Sequence, residues 1–146
     1  MKRRDFVKST GVAAGMSAIG NLGGATKGVS LVVDPQDRIA SAAAPSWAVR
    51  TLVDAFAAQG VTAKTYPRID QAPAGDRHIV VAGAGNDAAK QILTAARVPM
   101  PSDPESFSLV TGNAGGRNAL VAAGADGRGL VYAVLELADR GWQRLH

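Results

Sequence analysis

Short apolar runs that alternate with segments of helical period are the feature that most restricts what this chain can fold into. Val29-Ser30-Leu31-Val32-Val33 is a β-branched run closed by Asp34-Pro35, which reads as a buried strand followed by a turn. Residues 45–59 place Val49, Leu52, Val53 and Phe56 at i, i+3, i+4 and i+7, with Pro45 and Ser46 as start signals and Gly60 as a stop. A second strand is expected over 61–65 and a third over 78–82. Asn86 then opens a helix whose apolar face is Ala89, Ile92, Leu93 and Ala96 and which must end before Pro99. Two alternating runs at 106–111 and 118–123 flank Gly112-Asn113-Ala114-Gly115-Gly116, a turn-like stretch that predicts an antiparallel hairpin. Asp126 caps a last helix over about 127–139, with Leu130, Val131, Val134, Leu135 and Ala138 on its apolar side. The order β-α-β-β-α-β-β-α, with no internal repeat, predicts an α/β (α+β) fold: one mixed sheet containing an antiparallel hairpin and packed by about three helices.

The chain has 146 residues, enough for one domain with a real core, while two cores would each be marginal. Its net charge of +4 suggests nucleic acid until the charge is located. Lys2, Arg3, Arg4 and Lys8 against Asp5 carry +3 of it within the first 25 residues, and the remainder is nearly neutral. No basic stripe or interleaved aromatic ladder is left, so nucleic acid is not an expected partner. That basic segment begins a three-part leader: Arg3-Arg4, one variable residue, Phe6, Val7 and Lys8, then a weakly apolar stretch rich in Gly, Ala and Ser, then small residues ending at Ala25. It resembles a twin-arginine export signal, which implies passage through the twin-arginine translocase, cleavage near residue 25 and a periplasmic or secreted destination. A basic amphipathic N-terminal helix belonging to the fold is the competing reading. The absence of cysteine excludes disulfides, thiolate metal sites and cysteine nucleophiles.

Beyond the leader, Glu105-Ser106-Phe107-Ser108-Leu109 and the stretch from Asn118 through Ala123-Gly124-Ala125-Asp126-Gly127-Arg128-Gly129 to Tyr132 and Ala138 carry a second resemblance. So do the upstream pieces Leu52-Val53-Asp54-Ala55-Phe56 and Ile79-Val80-Val81-Ala82-Gly83. Together they resemble, over residues 27–146, the noncatalytic N-terminal α/β domain of α-glucuronidases and β-N-acetylhexosaminidases. The resemblance implies a catalytic barrel as partner, because in those glycoside hydrolases the catalytic carboxylates lie in a (β/α) barrel after this domain. A barrel needs about 250 residues, so the expectation is an accessory domain, a fragment lacking its catalytic part. In the motif, Asp126 suits a helix cap, Gly127 and Gly129 suit close approach to the sheet, and Arg128 and Tyr132 lie one helical turn apart; structural roles are expected for all five.

Other chemistry has thinner support. Glu105 begins a strand and Glu136 can pair with Arg140, so neither reads as half of a glycosidase carboxyl pair. Asp34 and Asp37 flank a turn after the first strand, where open α/β sheets place sites, although turn chemistry explains them as well. Gly83-Ala84-Gly85-Asn86-Asp87-Ala88 fits G-x-G-x-x-A between a strand and a helix, which leaves a self-contained small-molecule or nucleotide-binding module built on Gly83, Gly85 and Asn86 as the alternative. His78 and His146 lack metal-ligand spacing, and no G-x-S-x-G or P-loop occurs. Trp47 and Trp142 can stack on a carbohydrate or cover a core edge. No catalytic residue, cofactor or metal is expected.

Overall fold

A computed structural model describes residues 28–140 apart from 84 and 115. Arg3, Arg4, Phe6, Val7 and Lys8, expected to form an export signal, the expected cleavage region, Trp142 and His146 lie outside the described residues. The elements are β1 (Val29–Val33), α1 (Ala43–Ala58), β2 (Ala63–Tyr66), a 3₁₀ turn (Ile69–Gln71), β3 (Arg77–Gly83), α2 (Asp87–Ala95), β4 (Phe107–Ala114), β5 (Arg117–Gly124) and α3 (Gly127–Arg140). The predicted order stands, with the 3₁₀ turn added inside the β2–β3 connection.

The five strands form one mixed sheet in the order β2-β1-β3-β5-β4. All neighbours are parallel except β4, which runs antiparallel to β5. Alternation along the strands sorts side chains onto two faces. Val29 and Leu31 of β1, Ile79 and Val81 of β3, and Leu120 and Ala122 of β5 face α1 and α3, meeting Leu52, Phe56, Leu130, Val134 and Leu137. Val32, Val80, Ala82, Val121 and Ala123 face the other way and meet Ala89, Ile92 and Leu93 of α2. Both faces of the central strands are therefore covered, which is why β3 reads as a continuous apolar run rather than an alternating one.

From β1 the chain moves outward through α1 to β2, then returns past β1 to β3. The outward connection uses the face of α1, whereas Ile69 of the return connection packs with the α2 face. The direction of winding thus reverses between β1 and β3, leaving a topological switch point at their C-terminal ends.

The hairpin corrects one reading of the sequence. Gly112, Asn113 and Ala114 are paired in the ladder opposite Ala119, Asn118 and Arg117, so β4 runs on through most of the stretch expected to turn. Gly112 belongs there for packing: a Cβ on it would come 2.6 Å from Cγ2 of Ile92 on α2. The ladder closes on the Ala114–Arg117 pair, and Gly116 stands at φ 81° in the left-handed region that glycine tolerates.

Candidate functional site

At the switch point, the loop after β1 folds back on itself through two aspartates. The Asp34 carboxylate accepts from the Gln36 backbone N–H at 2.9 Å, and its carbonyl accepts from the Asp37 N–H at 3.0 Å, the local bonding expected of Asx turns. Asp37 does more than turn the chain. One of its oxygens accepts from the N–H groups of Ile39 and Ala40, at 3.1 and 3.0 Å. The other reaches across to β3, accepting from the Gly83 N–H at 2.8 Å and the Asn86 side-chain amide at 3.4 Å. A single carboxylate therefore joins the two loops that diverge at the switch point.

Gly83 is small because that tie is close: a Cβ there would stand 2.7 Å from the Ile39 Cβ and 2.9 Å from the Asp37 carboxylate. Asn86 caps α2, its side-chain oxygen accepting from the Ala89 N–H at 3.1 Å. Gly85 has open space beside it. In the dinucleotide reading these donors would cradle a pyrophosphate; in this fold the Gly83 N–H and the Asn86 amide already hold Asp37, and a phosphate brought there would meet a carboxylate.

Beside this tie lies a cleft of about 550 Å³. Val32 and Val80 line it from the sheet, Pro67, Arg68 and Ile69 from the β2–β3 connection, and Asn86, Asp87 and Ala88 from the start of α2. Asp34, Gln36, Asp37, Arg38 and Ile39 complete it from the loop after β1. It exists because α2 is the one helix on this face among the described residues, and the thin 3₁₀ connection stands where a second helix would close the surface. The sequence pointed to Asp34, Asp37, Gly85 and Asn86 in this region, but it singled out neither Gln36, Arg38, Arg68 nor Asp87. Position immediately after a strand and immediately after a helix cap was the available signal for Gln36, Arg38 and Asp87; Arg68 had none.

The Asp126 motif forms a separate corner where β4 begins, β5 ends and α3 starts. One oxygen of Asp126 accepts from the Gly129 N–H at 2.8 Å and the other from the Glu105 N–H at 3.1 Å. These amides, Gly129 foremost and then Glu105, hold the Asp126 carboxyl below its ordinary range. Arg128 donates to Glu105 at 2.9 Å on the surface. Gly129 has no room for a Cβ, because the Ser106 carbonyl oxygen lies against it, and Gly124 is similarly pressed by the Leu130 backbone. Gly127 faces open space, and Tyr132 projects from α3 at 44% exposure. Glu136 pairs with Arg140 along the same helix.

His78, at the start of β3, is 4% exposed, and neither ring nitrogen has a hydrogen-bonding partner among the described residues. Burial lowers its pKa, helped by the Arg117 charge and opposed by Asp76. Asp76 itself accepts from the Ser30 hydroxyl at 2.7 Å. Trp47 stands 50% exposed on α1 and is not among the residues that line the cleft. Among the described residues there is no group of three or more His, Asp or Glu side chains arranged to hold a metal ion.

No protein-family model matches the chain, and no curated protein matches it. Solved structures do share its fold. One is a GH138 enzyme targeting pectin rhamnogalacturonan II, with a TM-score of 0.52 and 19% identity over 81% of this chain and 14% of that one. Another is a family GH115 4-O-methyl-α-glucuronidase with specificity for decorated arabinogalactans, with a TM-score of 0.57 and 17% identity over 80% of this chain and 14% of that one. The chain thus spans about a seventh of the length of each enzyme it resembles, and at these identities the likeness is one of fold.

Proposed function

We propose that this chain is an exported, noncatalytic accessory domain of a carbohydrate-degrading glycoside hydrolase, acting beside a catalytic barrel carried elsewhere. The observation that carries this reading is the coverage: about four-fifths of the chain matches a domain-sized seventh of two large glycoside hydrolases, one of them an α-glucuronidase. Four of the acidic residues give it further support. Asp37 is committed to four hydrogen bonds, Asp126 to two, and Glu105 and Glu136 to arginines, so each already has a structural task.

Purified chain assayed on chromogenic glucuronides and N-acetylhexosaminides is expected to release nothing above buffer. Turnover that a point substitution within residues 28–140 abolishes would sink the proposal. Export is tested separately by fusing residues 1–30 to a reporter that is active only outside the inner membrane. Replacing both Arg3 and Arg4 by Lys should abolish the signal; an unchanged signal would remove the twin-arginine part of the reading.

A further inference from the structure

The switch-point cleft has a use that the accessory role leaves open. It falls within the size range of small-molecule sites, about 300–1,000 Å³, and occupies the place where open α/β sheets bind ligands. Its chemistry narrows the ligand. The donors best placed for a phosphate are taken by Asp37, and Asp34 and Asp87 add negative charge to the rim, so nucleotides and other phosphorylated ligands are disfavoured. Arg68 is paired with Asp70 at 2.7 Å.

What remains is a set of planar polar side chains around an apolar floor. Gln36, Arg38 and Asp87 are exposed, and among the described residues none of these three side chains has a hydrogen-bonding or ionic partner. Asp34 spends one oxygen on Gln36 and keeps the other. A carboxylate accepts from two neighbouring hydroxyls, a guanidinium donates to two, and an amide does one of each, so this mixture matches vicinal diols and not a single charge. Pro67 and Ile69, more open than the buried Val32 and Val80 beneath them, offer the C–H surface against which the apolar face of a ring can lie. We infer that the cleft is a binding site for an uncharged polyhydroxylated ring, a saccharide unit, held by Asp34, Gln36, Arg38 and Asp87 against Pro67 and Ile69. The inference does not depend on a catalytic barrel.

Amide NMR of the isotope-labelled full chain tests it, with methyl glycosides of galactose, glucose, rhamnose and arabinose as probes and AMP as the anionic control. At least one glycoside should shift the amides of Gln36, Arg38, Asn86 and Ala88 in a saturable way. Arg38→Ala and Asp87→Ala should each weaken that binding about tenfold or more; Arg38→Ala should leave Tm unchanged, and Asp87→Ala should lower it only slightly, by the loss of its charge from the first turn of α2. Ala88→Trp, which fills the cleft from the first turn of α2, should abolish it. No saturable shift with any glycoside, or saturation by AMP alone, would overturn the inference. Either result would leave the accessory-domain reading standing, since that reading is tested by turnover.

Discussion

At the residue scale, chemistry that looks functional in the sequence is spent on holding loops together. Asp37 and Asp126 each tie two segments far apart in sequence through backbone N–H groups, which would otherwise be orphaned at a loop or helix start. Asp126→Ala should lower Tm by several degrees, and Asp126→Asn by less, because the amide still offers one acceptor. The same carboxylate predicts an acid limb. Its pKa is depressed in the folded chain, so its stabilising effect is present above the ordinary carboxylate value of 3.8 and is lost as pH falls through the lower folded value. A stability profile of Asp126→Asn should be flatter than wild type in that acid range. Gly129→Ala, pressed against the Ser106 carbonyl, should cost about 1–3 kcal/mol by chemical denaturation.

At the element scale, helix and strand periods were legible because each is set by a local repeat, and the observed spans differ from those expected mainly at their ends. The Gly112–Ala114 stretch was not legible, for a reason particular to Gly112. Glycine and asparagine mark turns in general, but Gly112 is required by Ile92, on a helix twenty positions earlier, a contact no local window contains. The distinction can be measured. Gly112→Ala should cost about 1–3 kcal/mol as overpacking, and a double-mutant cycle with Ile92→Ala should show strong coupling. Gly116→Ala should instead cost about 1 kcal/mol from its positive φ, with no coupling to Ile92. Asn86 was legible as a cap, and Asn86→Ala should cost about 1 kcal/mol. Its further bond to Asp37, which links the cap to the other loop of the site, depends on the two loops meeting in space.

At the scale of the whole molecule, stability should depend on pH through His78. The ordinary value of 6.5 applies to the unfolded chain, and the folded value is lower. As pH falls below 6.5 the unfolded chain takes up a proton that the folded chain refuses, so stability declines toward the folded pKa and is independent of this group above neutrality. Asp76, Arg77 and Arg117 are the charged groups around it, from the turn before β3, from β3 itself and from β5. His78→Phe should remove the slope between pH 7 and the folded pKa; an unchanged slope would assign it elsewhere.

Element order, the apolar stripe of each helix and the nearly neutral charge of everything after residue 25 could be read from the chain alone, because periodicity, caps and charge are local properties. The strand order β2-β1-β3-β5-β4, the reversal of winding between β1 and β3, and hence the cleft, were set by the folded arrangement. Those depend on which strands exchange backbone hydrogen bonds across dozens of residues. Asp37 shows the division most plainly: two of its four bonds are local and belong to its turn, while the two that reach Gly83 and Asn86 exist because the sheet places β1 beside β3.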